Sequence, residues 1–300
     1  MNISMILKND SFTHTANQNS APLYDLLADL QETKEILTNL GEKTYRDDRL
    51  YIQEFSRDVE LYKILFEKEY QLKAGITGEE LKMLNKIVEQ NSNIENQEYD
   101  KIVGEILQQQ IKKPYALLCC YLTETAPFHT NTPIALLNVR RELLQLVNDP
   151  EEFVNACSLC FPNLYLHSNI VDTIKGLSAP FIKFKNEIIR HLIAINDIFH
   201  PVYNENRTGG INESLRVLQA EGKLNCSLEG NPESAKKRFM FKFKNALDRD
   251  EVLLCEPHTK LEKTNQPGDT EYRYDRIYFH GGKENIANGK TLIAHIGCHL

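Results

Sequence analysis

The last fifty residues of the chain alternate short apolar runs with turns that contain Gly, Asn or Pro. The apolar runs cover residues 252–255, 272–279 and 291–296. Short apolar runs separated by turns of this composition are typical of antiparallel strands. The sequence therefore predicts a small antiparallel sheet of three to four strands at this end of the chain.

Upstream of the sheet, apolar residues recur at intervals of three and four, which is the spacing of one helix face. Residues 1–20 are polar after a short apolar start, and this predicts a loosely ordered tail or a strand that pairs elsewhere. From there to residue 203 the spacing predicts helices over 23–40, 43–74, 77–89, 99–110, 115–123, 134–147, 149–160, 170–177 and 180–199.

A polar segment with a Gly pair, residues 204–210, separates two periodic stretches and predicts a linker. Two further helices are expected after it. The first covers 211–221, and the second runs from the start pattern Asn-Pro-Glu at 231 to about 247. The predicted fold class is α+β: a mainly helical domain at 21–203, followed by a small domain at 211–300 that joins two helices to the antiparallel sheet.

Side chains alternate between the two faces of a strand, so Arg276, Tyr278 and His280 share one face of the predicted central strand. Ile277 and Phe279 lie on the other face. We expect the apolar face to be buried against helices and the polar face to be exposed to solvent, as a wet face of the sheet. The wet face and its surroundings would carry Lys260, Arg276, Tyr278 and His280, with His258, His295 and His299 nearby.

Charge is unevenly distributed along the chain, whose formal net charge is −7. From residue 232 onward there are 12 Lys/Arg and 10 Asp/Glu, whereas the first 231 residues carry 23 Lys/Arg and 32 Asp/Glu. The acidic balance argues against a nucleic-acid coat over the whole chain. The basic run KKRFMFKFK, with Lys236 and Lys237, marks the C-terminal part as the candidate substrate-binding region.

The sequence lacks the motifs that are typical of several classes of enzyme. The chain has no GxxxxGK[ST], GxSxG or HExxH, and no acidic cluster that would bind two magnesium ions. We therefore expect no cofactor and no metal. Seven cysteines in a chain of 300 residues favour a reducing cytoplasm. We expect no membrane partner, because we find no signal peptide and no apolar run long enough to span a bilayer.

Three motifs follow the two predicted helices of the C-terminal part: PHTKL at 257–261, EYRYDRIYF at 271–279 and KTLIAHIGCHL at 290–300. Their order resembles the core of RelE-type mRNA interferase toxins. The resemblance covers residues 211–300 and implies a small α/β ribonuclease that cuts RNA without metal. The chain departs from the family pattern in having no clear strand before the helices and in ending with His299-Leu300 instead of lysines.

A metal-free ribonuclease uses the 2′-OH of RNA as nucleophile and needs a base, an acid and cations for the phosphate. We assign His258 and His280 as acid and base, because the ordinary pKa of histidine lies near neutrality. Arg276 and Lys260 would hold the phosphate, and Tyr278 would stack on a base. His295 and His299 are the alternatives to His280 and otherwise contact substrate, together with Lys236 and Lys237.

The second hypothesis is a non-catalytic module that binds a nucleic acid or a protein on a helical scaffold. The partners expected are RNA or the ribosome, and a protein inhibitor or a second copy bound through the helical region. The acidic N-terminal part could itself cover the basic sheet.

Overall fold

In the computed structural model, the described residues are 1–13, 22–56, 58–122, 126–205, 210–229, 233–261 and 275–300, with only the backbone of 233–235. The chain divides into two compact units, Met1–Leu146 and Val147–Leu300. Each unit contains both helices and sheet, so the fold is mixed α/β. The division falls well before the predicted linker at 204–210, of which residues 206–209 lie outside the described part.

The first unit is built on a five-stranded parallel sheet with the order β5-β2-β1-β6-β7. The strands and helices of this unit are β1 (Ser4–Leu7), α1 (Leu23–Asn39), β2 (Lys43–Arg46), β3 (Glu54–Ser56), β4 (Val59–Glu60), α2 (Leu61–Phe66), α3 (Lys68–Ala74), α4 (Gly78–Glu89), β5 (Ser92–Asn93), α5 (Asn96–Leu107), β6 (Tyr115–Leu118), β7 (His129–Thr130) and α6 (Pro133–Leu144).

The central strand β1 explains why this sheet needs helices on both faces. Met5 and Leu7 belong to a core shared with α1, α4 and α6, whereas Ile6 belongs to a core shared with α5. A strand buried on both faces is a continuous apolar run, as in other parallel sheets. The short apolar start of the chain is therefore a strand that pairs elsewhere, and not part of a loosely ordered tail.

In the first unit two of the predicted helices are wrong, and the mainly helical domain at 21–203 is not confirmed. The stretch 115–123 begins with strand β6, whose residues Ala116–Leu118 are fully buried. The stretch 43–74 is divided into β2, a 3₁₀ turn, a small hairpin and two short helices. A short apolar run fits a buried strand as well as a helix segment, so periodicity alone does not separate the two.

Several helix starts are marked by caps. Thr77 and Glu80 form a reciprocal capping box at the start of α4. Thr132 caps α6, which begins at Pro133, and its side chain accepts the Ala135 N–H. Asp149 in the same way accepts the Glu152 N–H at the start of α7. These caps satisfy backbone N–H groups that have no partner inside the helix.

The second unit is built on a five-stranded mixed sheet with the order β8-β14-β13-β12-β9 and on a separate hairpin, β10-β11. Its strands and helices are α7 (Pro150–Cys160), β8 (Leu164–Leu166), α8 (Ile170–Lys175), α9 (Phe181–Ala194), α10 (His200–Glu205), α11 (Ile211–Gly222), β9 (Cys226–Ser227), β10 (Met240–Lys244), β11 (Asp250–Leu254), β12 (His258–Lys260), β13 (Asp275–His280) and β14 (Thr291–Cys298).

The antiparallel pairing of β12, β13 and β14 confirms the predicted core of the sheet. Two strands were not predicted: β9 extends the sheet beyond β12, and β8 pairs in parallel with β14. The apolar run at 252 also does not continue into 258, because the chain leaves the extended ladder at Glu256 and Pro257. Its two halves, β11 and β12, consequently belong to different sheets.

The hairpin β10-β11 replaces the predicted helix at 231–247, and it covers the sheet face predicted to be wet. Phe239 and Phe243 are buried, and the rings of Phe239 and Tyr278 lie 5.4 Å apart. Phe243 packs with Leu292 and Ala294 of β14. The other face is covered by helices, as expected.

Among the described helices, none has the length and apolar content needed to cross a bilayer.

Candidate functional site

One carboxylate oxygen, Oε1 of Glu229, lies at the centre of a cluster of polar side chains in the second unit. It accepts the hydroxyl of Tyr278 at 2.9 Å and lies 3.3 Å from Nε2 of His299. Nδ1 of His258 is 3.4 Å away and Nε of Arg276 is 3.6 Å away. The Glu229 side chain is only 10% exposed. A phenol, a guanidinium and two imidazoles therefore converge on one nearly buried carboxylate.

The register of the sheet brings these groups together. His258 of β12 lies directly opposite Tyr278 of β13, which in turn lies opposite His295 of β14. Lys260 lies opposite Arg276 in the same way. Side chains of directly opposed residues stand on the same face and in contact range. The register therefore places Lys260, Arg276 and Tyr278 on one sheet face, with His258 and His295 beside them.

The Glu229 carboxyl is stabilised in its charged form. Burial alone would raise its pKa, but the hydrogen bond from Tyr278 and the neighbouring His258, His299 and Arg276 side chains outweigh burial and lower it. A pKa below the usual 4.5 leaves this group ionised at neutral pH. Glu229 is thus an anion held next to the guanidinium of Arg276.

His258 is nearly inaccessible, with 2% exposure. Its Nδ1 lies 3.1 Å from the Glu256 carbonyl, and its Nε2 lies 3.1 Å from the hydroxyl of Ser227. A carbonyl only accepts, so Nδ1 carries the proton and Nε2 accepts from Ser227. Burial is the largest influence on its pKa and lowers it to about 4. The ring is therefore neutral at neutral pH, which conflicts with its predicted role as acid.

Tyr278 has no exposed surface. Its ring lies 5.1 Å from His258 and 5.4 Å from Phe239, between the sheet and the hairpin. The predicted stacking of Tyr278 on an RNA base is wrong for this reason. Burial, followed by the neighbouring Glu229 carboxylate, raises the pKa of the phenol above its ordinary value, so the hydroxyl stays protonated and donates to Glu229.

The other predicted site residues have different surroundings. His299 is 36% exposed at its side chain, and Lys260 is half-buried. His295 is buried, with Nε2 at 2.9 Å from the Cys298 carbonyl, and burial lowers its pKa. His280 accepts the Gly282 N–H at 3.0 Å through Nδ1, two residues beyond Tyr278 along β13. His280 therefore lies towards the other end of the strand, and burial lowers its pKa as well.

Lys236 and Lys237 lie in a 3₁₀ segment, Glu233–Phe239, that leads into β10. Lys237 is exposed and Lys236 is half-buried.

Glu229 and Ser227 are the functional candidates that the sequence analysis missed. A signal for them exists, because buried Leu224 and Cys226 alternate with Asn225, Ser227 and Glu229. Alternation of this kind is typical of a strand with one polar face. The segment is short and follows α11 directly, which hides this signal.

No family model, no curated protein and no solved structure matches the chain.

Proposed function

We propose that the second unit cleaves RNA without a metal ion, through acid–base chemistry centred on Glu229. The observation that carries the proposal is the approach of Tyr278, His299, His258 and Arg276 to one carboxylate oxygen, within 2.9–3.6 Å. Cleavage by the 2′-OH requires a base for its proton, a cation for the phosphate and an acid for the leaving oxygen. The cluster contains a group suited to each task.

The roles follow from charge and exposure. Glu229 is ionised at neutral pH and takes the proton of the 2′-OH. Arg276, with Lys260 opposite it on β12, holds the phosphate. His299 is more exposed than His258 and His295, and it protonates the leaving 5′-oxygen. This assignment replaces the pair His258 and His280 that the sequence suggested.

Tyr278 and His258 act as positioning residues. The Tyr278 hydroxyl fixes the orientation of the Glu229 carboxylate. His258 is held as the neutral ring between the Glu256 carbonyl and the Ser227 hydroxyl.

The resemblance of residues 211–300 to RelE-type mRNA interferases supports the same reaction class. It adds mRNA on the ribosome to the substrates that should be tested. A cytoplasmic location, with the helices as a site for a protein inhibitor or for a second copy, belongs to the same proposal.

The test is cleavage of labelled RNA by the whole chain in EDTA, both as free RNA and on translating ribosomes. We expect Glu229→Gln and His299→Ala each to lower the rate by at least about 10²-fold, the usual contribution of a general base or acid. Glu213→Gln is the matched control, since Glu213 is a surface carboxylate paired with Arg216 on α11. The rate should also fall at acid pH, as the pH drops through the pKa of Glu229, which lies below the ordinary value of 4.5.

Wild-type protein that leaves both RNA substrates intact would refute the proposal. Cleavage by Glu229→Gln at the wild-type rate would refute the assignment of the base.

A second candidate function is binding of RNA without cleavage, as a recognition module. The specific observation in its favour is that Glu229 is already engaged by the Tyr278 hydroxyl and by Arg276, which weakens it as a base for cleavage. In that case Glu229→Gln should bind RNA more tightly than the wild type, because a negative charge is removed from the binding surface. The affinity should fall steeply with salt, and no RNA should be consumed.

A further inference from the structure

The first unit contains a cavity of about 220 Å³ that the proposed ribonuclease site does not involve. It lies between one face of α6 and the segment that precedes β7. Its apolar wall includes Leu122, Ala126, Pro127, Ala135 and Val139. Three polar side chains, those of His129, Asn138 and Glu142, also line it.

Glu142 holds a strained segment of backbone at this cavity. Its Oε2 accepts the Phe128 N–H at 2.8 Å, and Phe128 has a φ of 62°, which is uncommon for a residue with a bulky side chain. Such strain persists only where the surroundings fix it, and it concentrates at ligand sites. Burial also raises the pKa of the Glu142 carboxyl above its ordinary value.

His129 offers an acceptor to the same space. Its Nδ1 lies 2.8 Å from the Pro127 carbonyl, which can only accept, so Nδ1 carries the proton. Burial lowers the pKa of the ring, so the imidazole is neutral and Nε2 is an acceptor. The Glu142 carboxyl adds further acceptor oxygen, and the Asn138 amide adds an N–H donor, because its Oδ1 accepts from Arg141 at 3.5 Å.

The chemistry of the lining residues selects the class of ligand. None of the eight described residues that line the cavity is Lys or Arg, so the lining itself offers no cation to pair with an anion. The acceptors favour a molecule with N–H donors, and the apolar walls suit the faces of a flat ring. The volume is smaller than that of sites for drug-sized ligands, about 300–1,000 Å³. A single heterocycle is the matching size.

We propose that this cavity binds an uncharged nitrogen heterocycle of nucleobase size, held by Glu142, Asn138 and His129 between the apolar walls. This binding site is separate from the proposed cleavage of RNA by the second unit and does not depend on it.

The test is calorimetric titration of the whole chain with adenosine, guanosine, cytidine and uridine as probes. At least one nucleoside should bind saturably with 1:1 stoichiometry. Ala135→Leu, which fills the cavity with a good helix former, should weaken binding by at least about tenfold, or 1.4 kcal/mol. Ile134→Ala is the matched control, because Ile134 is the neighbouring residue and is 78% exposed.

Glu142→Gln gives an independent check. The amide oxygen can still accept the Phe128 N–H, so the fold should survive, while the ligand loses the second carboxyl oxygen as an acceptor and should bind at least about tenfold more weakly. The proposal is overturned if no nucleoside binds saturably, or if Ala135→Leu binds as the wild type does. It is also overturned if adenosine monophosphate binds while adenosine does not, since the recognised group would then be the anion.

Discussion

Replacing Tyr278 by Phe should destabilise the second unit by about 1.5–2 kcal/mol at pH 7. The substitution keeps the buried ring and removes only the hydroxyl that donates to Glu229 at 2.9 Å. Hydrogen bonds to charged groups contribute about 1.5–3 kcal/mol. The lower half of that range applies, because His299 and Arg276 stay within 3.6 Å of the same carboxylate oxygen.

The measurement is urea unfolding of the whole chain followed by circular dichroism, since the sequence has no Trp. With a slope of about 2–3 kcal/mol per molar urea, the midpoint of the second unit should fall by about 0.5–1 M. Tyr51→Phe is a matched control. It removes a hydrogen bond from Tyr51 to Glu89 that is exposed to solvent, and should cost at most about 0.5 kcal/mol.

The effect of Tyr278→Phe should depend on pH. Glu229 has a lowered pKa in the folded state, so its stabilising contribution is present above the ordinary value of 4.5 and is lost as the pH falls through the folded pKa. The difference between wild type and variant should therefore shrink as the pH falls below 4.5 and through the folded pKa of Glu229. Equal midpoints at pH 7, or a difference that stays the same down to the pH at which the wild type itself unfolds, would refute the view that Tyr278 stabilises the Glu229 carboxylate.

Three other substitutions test the packing and the buried charges. Arg140→Met should destabilise the first unit by about 3–5 kcal/mol in urea unfolding, because Glu42, which bonds to Arg140 at 2.6 Å and is 1% exposed, would remain as an unpaired buried charge. Adding Glu42→Leu should recover most of that loss, and a double variant without recovery would contradict this reasoning. Phe243→Ala should cost about 3–5 kcal/mol of stability, because Phe243 is a buried aromatic residue of the hairpin. Leu247→Ala should change the urea midpoint little, because Leu247 is 72% exposed. Similar costs for the two variants would argue for the predicted helix at 231–247 instead of the hairpin. Burial, and then the charges of Lys86 and Arg46, lower the Lys34 pKa to about 7, so the folded state loses this proton at a lower pH than the unfolded state does. The free energy of unfolding should therefore rise between pH 7 and 10 in the wild type, and rise less in Lys34→Met. Parallel pH profiles of the two proteins would refute this.

Local patterns in the sequence predicted several helix starts and the central antiparallel strands. The capping box at Thr77 and the Asp149 cap are determined by residues three positions apart. The alternation in β13 placed Arg276 and Tyr278 on one face, and this face does carry the cluster. These features depend on neighbouring residues alone, so one sequence suffices for them.

The hairpin was mispredicted because two local patterns conflict. Asn-Pro-Glu at 231 is a helix start pattern, and Phe239 and Phe243 have helical spacing. Phe241 between them completes an alternation of period two, and tertiary packing on the sheet favoured the strand. The alternating pattern of the strand was therefore present in the sequence, but propensity alone does not decide between the strand and the helix.

The coverage of the sheet face could not be predicted from local patterns at all. Whether Tyr278 is wet or buried depends on where β10 packs, and the pairing of β8 with β14 joins distant parts of the chain. Glu229 became the centre of the site through the same long-range packing. The sequence around each of these residues does not indicate which distant residues it contacts.

The position of β14 has a consequence for the synthesis of the chain. It is the last of the described strands to be made, yet it lies between β8 and β13. At about 5–20 residues per second, some 6–25 seconds pass between translation of Leu166 and of Thr291. During that time the inner edge of β8 has no native strand beside it. Nascent chains stalled before Thr291 should therefore be cleaved by protease near β8, and the second unit can complete its sheet only when translation reaches Cys298.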